Sequence, residues 1–213
     1  MNVRLVLVIL KLFISPKELK VVGIILAVLF ALPVIGVVAM AQAPIQAVSD
    51  ALAFADPVTH MVQIKDANGN VLAELAASTT WPVCGQVMLE FGQPDPPFQL
   101  HHTGIDIAYR TGQPITTFME GTVTRAVNNP YDSRGYGEYV TIDHGNYLTS
   151  LYGHMSQVDV TVGQHVKPGD IIGLEGSTGN STGPHVHFET DVSQIPVNPR
   201  TFVAGNPPAC GAR

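Results

Sequence analysis

The chain has 213 residues, of which 46% are hydrophobic, and a formal net charge of −6. This length suits one domain of ordinary size with additional segments. The remainder after residues 1–20 is more acidic still, because that segment contains four basic residues and one acidic residue. An acidic chain argues against a nucleic-acid partner, whose phosphates require a basic surface.

An uncharged apolar segment covers residues 21–43. As a helix rising about 1.5 Å per residue it would be about 34 Å long, enough to cross a hydrocarbon core of about 30 Å. The basic segment 1–20 predicts a cytoplasmic N-terminus and export of everything that follows. We therefore expect a single-pass signal anchor at 21–43. The alternative is a signal peptide cleaved at a small-x-small site within 39–43, which would release a secreted protein.

Residues 44–80 have the composition of a stalk or linker. Asn68-Gly69 lies there between two alternating apolar segments and predicts a β-hairpin. From residue 81 to 213 the chain consists of short β-like runs separated by glycine and proline, without a long segment of helical period. We predict a mostly β domain, an antiparallel sheet or β-sandwich-like arrangement, preceded by one transmembrane helix.

The two cysteines, Cys84 and Cys210, both lie in the part expected to be exported. Disulfides form and persist in such compartments, so we expect the two residues to pair. The alternative is that Cys84 is a small buried hydrophobic residue and Cys210 a free thiol.

The segment HVHFE, which begins at His185, has the composition of a β-strand. Strand side chains alternate between faces, so His185, His187 and Glu189 share one face and Val186 and Phe188 the other. A pair of histidines this close also arises by chance. The pair therefore indicates a site only if other ligands accompany it.

Further ligand-type residues occur in HHTGIDIAYR, where Asp106 follows His102 by four residues. The intervening Thr-Gly-Ile predicts a turn into a strand, with the two side chains converging across the turn. These two residues and one histidine of the HVH segment would leave the fourth position of a tetrahedral zinc ion open for water. An open position is typical of a catalytic zinc site.

Together with LYGHM around His154 and GSTGNSTGPHVHFE at 176–189, these segments resemble the zinc endopeptidases of the lysostaphin and LytM type, peptidase family M23. The resemblance covers roughly residues 81–203 and comprises four ordered segments with the expected spacing. One departure is that GQPDPPFQLHH contains Phe98 and no tyrosine before the first ligand, which leaves any oxyanion role of such a tyrosine in question.

The resemblance implies that His102, Asp106 and His187 bind one Zn²⁺ ion. It also implies that His154 and His185 are catalytic histidines that do not bind the metal. Of these two, one would transfer the proton of the nucleophilic water to the leaving amine, and the other would stabilise the oxyanion. Neighbouring residues leave alternatives open: His101 could replace His102 as a ligand. Glu189 could be a hydrogen-bond partner of one of the histidines, although a carboxylate on the rim is the expectation.

The same resemblance implies that the protein is a zinc metalloendopeptidase whose substrate is the peptide part of bacterial peptidoglycan. The apolar segment 21–43 would anchor this enzyme in the membrane. Its peptidase domain would lie outside the bacterial cytoplasmic membrane. The alternative is a non-catalytic wall-binding or activator protein of the same fold, within an envelope or secretion complex. That alternative predicts substitutions among the five site residues, and all five are present. Residues 44–80 could also fold over the groove and restrain activity.

Overall fold

The computed structural model describes residues 45–78, 80–131 and 135–211. The segments 1–20 and 21–43 lie outside the described residues, so the signal anchor stays a prediction. Within the described ranges, no helix is both long enough and apolar enough to cross a membrane.

The described residues are mostly β-structure, as predicted, with one α-helix and one short 3-10 helix at Pro199–Thr201. The elements in chain order are α1 (Ile45–Leu52), β1 (Ala53–Ala55), β2 (Met61–Lys65), β3 (Val71–Ala76), β4 (Gln86–Leu89), β5 (Ile105–Ala108), β6 (Pro114–Thr116), β7 (Gly121–Val127), β8 (Glu138–Asp143), β9 (Leu148–Met155), β10 (Gln157–Val158), β11 (His165–Val166), β12 (Ile171–Leu174), β13 (Val186–Val192) and β14 (Ile195–Val197).

The main sheet has the strand order β11-β7-β8-β9-β13-β5-β4, and β14 pairs with β13. All of these pairings are antiparallel. Strand β13 lies between β9 and β5, and the register places His187 opposite Gly153 on β9 and Asp106 on β5. Val186 and Phe188 are fully buried in the hydrophobic core. The sheet therefore brings the histidine-bearing face of β13 next to the carboxylate of β5.

A smaller antiparallel sheet has the order β10-β12-β6. Ile115 of β6 and Ile172 of β12 are fully buried and belong to the same core as Phe188 of the main sheet. Burial of these apolar side chains is the main source of stability for such a domain.

Helix α1 and strands β1–β3 precede the main sheet. Strands β2 and β3 form an antiparallel hairpin whose turn contains Gly69 with a φ of 83°, a conformation that favours glycine. Val62 and Ile64 of this hairpin are fully buried in the core shared with the main sheet. Ser49 of α1 accepts a hydrogen bond from the backbone N–H of Asn198 at 2.8 Å. The residues expected to be a stalk thus pack against the domain that follows them.

The predicted pairing of the cysteines is confirmed: Cys84 and Cys210 form a disulfide. Hydrogen bonds fix the C-terminal segment near it. The Gly85 N–H donates to the Pro208 carbonyl oxygen at 3.1 Å, and the Trp81 indole N–H donates to the Ala204 carbonyl oxygen at 2.9 Å.

Candidate metal centre

Three ligand-type side chains converge at one end of the β13–β5 pair. Asp106 Oδ1 lies 3.0 Å from His102 Nε2 and 3.0 Å from His187 Nδ1. The two nitrogens lie 2.9 Å apart. His102 reaches this point from the segment just before β5, and it is 1% exposed, while His187 is 2% exposed. These are the three residues that the resemblance assigns to the metal.

The donor set fits a zinc ion. Zinc binds imidazole nitrogen and carboxylate oxygen at about 2.0–2.2 Å, so ligand atoms on one ion lie within about 4 Å of each other. The three atoms satisfy this limit. Burial alone would raise the pKa of Asp106, but hydrogen bonds from His102 and His187 hold that pKa well below its usual range. Asp106 is therefore ionised at neutral pH, as a metal ligand must be.

The outward-facing nitrogen of each ligand histidine lies close to an acceptor. His102 Nδ1 lies 3.3 Å from the backbone carbonyl oxygen of Glu90. His187 Nε2 lies 3.2 Å from Oε2 of Glu189. Burial lowers the pKa of His187, but hydrogen bonds to Asp106 and Glu189 outweigh it and raise the pKa to about 9. Metal ions therefore compete with a proton for this ring.

Two further histidines lie beside the cluster. The rings of His154 and His185 have centroids 4.6 Å apart. Nδ1 of His154 donates to the carbonyl oxygen of Thr178 at 2.7 Å, and Nδ1 of His185 donates to that of Gly183 at 2.8 Å. Because a carbonyl oxygen only accepts, each Nδ1 carries a proton, and Nε2 of the neutral ring keeps a lone pair that can accept another. Nε2 of His185 lies 3.6 Å from Asp106 Oδ2.

His154 has a φ of 60°, in the left-handed region that non-glycine residues rarely adopt. Such backbone conformations cost about 1–3 kcal/mol and concentrate at functional sites. Burial, with the neighbouring His187 and His185, lowers the pKa of His154 to about 3. His154 is therefore neutral at neutral pH.

A pocket of about 380 Å³ opens over these side chains. One wall is the loop 95–99 and the other is the segment 180–182, part of the glycine-rich GSTGNSTG run. No described residue of 45–78 lines it. The hypothesis that residues 44–80 fold over the groove therefore has no support among the described residues. The lining residues are Asp95, Pro96, Phe98, Gln99, His102, Asp106, Gly135, Tyr136, His154, Asn180, Ser181, Thr182, His185 and His187.

At two positions the structure differs from the main interpretation of the sequence, and at Glu189 it agrees with the alternative of a histidine partner. The expectation that Glu189 lies on the rim is wrong, since it is 4% exposed and lies behind His187. Gly104 was interpreted only as a turn residue. A Cβ at this position would lie 2.5 Å from the Phe188 carbonyl oxygen and 2.9 Å from the His187 ring. His101, the alternative ligand, is exposed.

Comparison with known proteins agrees with this geometry. The model of peptidase family M23 matches residues 100–199, which include all five site residues. The chain is 44% identical over 97 residues to the peptidoglycan DD-endopeptidase ShyA of Vibrio cholerae, covering 46% of this chain and 22% of that protein. The chain spans a third or less of the length of the first curated relatives that it matches.

Two solved structures have a similar fold. A zinc-containing peptidase from Vibrio cholerae is 31% identical, with a TM-score of 0.53, covering 73% of this chain and 47% of that one. The catalytic domain of the antimicrobial peptidase lysostaphin from Staphylococcus simulans is 28% identical, with a TM-score of 0.52, covering 55% of this chain and 91% of that domain. The match to the family model, the two similar folds and the converging ligand set lead to one conclusion: the chain belongs to peptidase family M23.

Proposed function

We propose that the protein is a membrane-anchored zinc metalloendopeptidase that cleaves the peptide crosslinks or stem peptides of bacterial peptidoglycan. The observation that carries this proposal is the convergence of His102, Asp106 and His187 next to two histidines whose Nδ1 atoms donate to backbone carbonyl oxygens. The name of the relative ShyA narrows the proposed substrate to D,D-peptide bonds of the crosslink.

In this proposal His102, Asp106 and His187 hold one zinc ion. When bound, zinc supplies a water of lowered pKa and polarises the scissile carbonyl. The negative charge of Asp106 strengthens the attraction for the cation. Burial of His102 and His187 fixes their rings and so keeps the ligand atoms in place without a cost in side-chain entropy when the metal binds.

His154 and His185 provide the proton transfers. Each ring presents an unprotonated Nε2 because its Nδ1 donates to a backbone carbonyl oxygen. Either ring can therefore accept a proton from the nucleophilic water and return it to the leaving amine. Once protonated, the ring beside the developing oxyanion can donate a hydrogen bond to it.

The pocket suits an extended peptide. Its two walls, the loop 95–99 and the segment 180–182, leave the ligand cluster accessible between them. Asn180, Ser181 and Thr182 offer polar side chains to a peptide backbone. Among the described lining residues are two aspartates and neither lysine nor arginine, so the pocket lining carries no positive charge from these side chains.

We further propose the organisation predicted from the sequence: a cytoplasmic segment at 1–20, a signal anchor at 21–43, a connecting segment at 44–80 and the peptidase domain at 81–213. The disulfide supports a location outside the cytoplasm, where such bonds persist. Cleavage of the apolar segment, which would give a secreted enzyme, is the alternative. Extraction of membranes with alkaline carbonate distinguishes the two, because an anchored protein stays in the membrane pellet.

The activity is tested by incubating the full chain, purified in detergent, with peptidoglycan sacculi. We expect about one zinc per chain, release of soluble fragments and the appearance of new amino groups. His185→Ala should abolish release while keeping the metal, and His102→Ala should lose both. His165→Ala is the matched control, because His165 is exposed and lies outside the pocket. Metal binding without cleavage of any wall preparation would instead favour a wall-binding or activator protein in an envelope complex.

A further inference from the structure

Glu189 is a buried carboxylate directly behind the candidate ligand His187. It follows His187 by two positions on β13, so both side chains lie on the same face of the strand. Its Oε2 lies 3.2 Å from His187 Nε2. Burying a carboxylate is strongly unfavourable unless donors surround it. The position of Glu189 therefore depends on the groups that donate to it.

Two hydroxyl groups hold Glu189 in place. The Thr103 hydroxyl donates to Oε2. The Tyr136 hydroxyl donates to the same carboxylate, 3.3 Å from Oε1 and 3.2 Å from Oε2. Thr103 precedes β5 and Tyr136 precedes β8, so three separate parts of the chain meet at this carboxylate. Together with the His187 ring, these hydroxyl groups surround the carboxylate with hydrogen-bond donors, which favours its charged form.

The proton on His187 has two competing acceptors. Asp106 Oδ1 lies 3.0 Å from Nδ1, and Glu189 Oε2 lies 3.2 Å from Nε2. A neutral imidazole carries one proton, and only the tautomer protonated on Nε2 has a lone pair on Nδ1. If Asp106 held the proton on Nδ1, the ring could not bind a metal at the cluster.

We propose that Glu189, fixed by Thr103 and Tyr136, is a positioning residue that holds the proton of His187 on Nε2 and directs the Nδ1 lone pair towards the metal. The inference rests on the zinc site of the proposed function and adds to it the residues that determine how well the site binds. Among the described residues, the partner of the outer nitrogen of His102 is the backbone carbonyl oxygen of Glu90 and not a side chain. Of the two ligand histidines, His187 is therefore the one whose tautomer is set by a side chain.

Glu189→Gln is the direct test, because it keeps the size of the side chain and removes its charge. The amide can also donate to Nε2, which stabilises the tautomer that cannot bind. We expect the zinc affinity of the full chain, measured by competition with a chromophoric chelator, to fall by about 10- to 100-fold. Tyr136→Phe removes one donor to Glu189 and should also lower the zinc affinity, by a smaller factor than Glu189→Gln.

Glu120→Gln is the matched control. The Glu120 carboxylate also lies beside a histidine, with Oε1 2.8 Å from His165 Nε2, but this pair is exposed and outside the pocket. Its substitution should leave zinc affinity unchanged. The thermal unfolding midpoint of each protein, measured with excess chelator, separates a loss of folding from a loss of binding.

The outcomes are distinct. If Glu189→Gln and Tyr136→Phe bind zinc within twofold of the unsubstituted protein, the positioning role is wrong and the proposed function stands. A lowered unfolding midpoint with unchanged affinity also overturns the inference, since it shows a structural role alone. If Glu189→Gln does not fold, the zinc affinity of Tyr136→Phe alone tests the positioning role. If the unsubstituted protein binds no zinc, both the inference and the proposed function are wrong.

Discussion

Replacing both cysteines by serine is expected to lower the free energy of unfolding by up to about 5 kcal/mol. Cys84 and Cys210 are separated by 126 positions in the sequence. In the chain-entropy model, the entropy removed from the unfolded chain by closing a loop of this size corresponds to about 5 kcal/mol at 25 °C. Domains of this size are stable by only about 5–15 kcal/mol, so the bond supplies a large share of the total.

The folded state should change little when the bond is removed. The backbone N–H of Ser78 still donates to the Phe202 carbonyl oxygen at 2.7 Å, and Trp81 still donates to Ala204. The loss is therefore expected to arise mainly in the unfolded state, which gains conformational freedom.

The assay is urea unfolding of the unsubstituted protein and the double serine variant, each with and without a reducing agent. Reduction should destabilise only the unsubstituted protein, and zinc affinity at low urea should be the same in both. A loss of less than about 1 kcal/mol in the double variant would refute the reasoning. It would mean that the unfolded chain is already compact or that the bond strains the folded state.

Three further predictions concern the site and its support. Gly104→Ala should weaken zinc binding at least tenfold, because the added Cβ would lie 2.9 Å from the His187 ring; equal affinity by chelator competition would contradict this. Chelation should stop the release of wall fragments and lower the thermal unfolding midpoint, and added zinc should restore both. The midpoint falls because a metal that binds only the folded state stabilises that state. Fragment release that persists in excess chelator would exclude a metal-dependent reaction. Burial lowers the pKa of His144 below its usual 6.5, so the unfolded state takes up this proton first as pH falls. The contribution of neutral His144 to stability is thus complete above about pH 6.5 and is lost as the pH falls below that value. In urea unfolding between pH 7.5 and 4.5, the free energy of unfolding should fall less in His144→Asn than in the unsubstituted protein. An equal fall in both proteins would contradict this prediction.

The parts of the site that follow from local rules could be predicted from the sequence. The alternation in HVHFE separates the buried Val186 and Phe188 from the two histidines because a strand has a period of two. Four ordered motifs that resemble peptidase family M23 supplied the candidate ligands, and the structure brings His102 and Asp106 together with His187.

Other parts depend on contacts between distant segments and could not be predicted. Helix α1 has eight residues, too few for a helical period to be recognised. Tyr136 and Thr103 are ordinary residues in the sequence, and their role arises only where the segments before β8 and β5 meet β13. The requirement for Gly104 comes from its close approach to β13, which the sequence does not show.

The two faces of the seven-residue strand β13 contribute to different parts of the protein. One face supplies Val186 and Phe188 to the core, and the other supplies His187 and Glu189 to the candidate metal centre. Because side chains alternate, a shift of one residue would exchange the faces and disrupt folding and chemistry together. The strand is thus constrained on both faces, whereas the loop 95–99 and the segment 180–182 line the pocket without supplying a member of the ligand cluster.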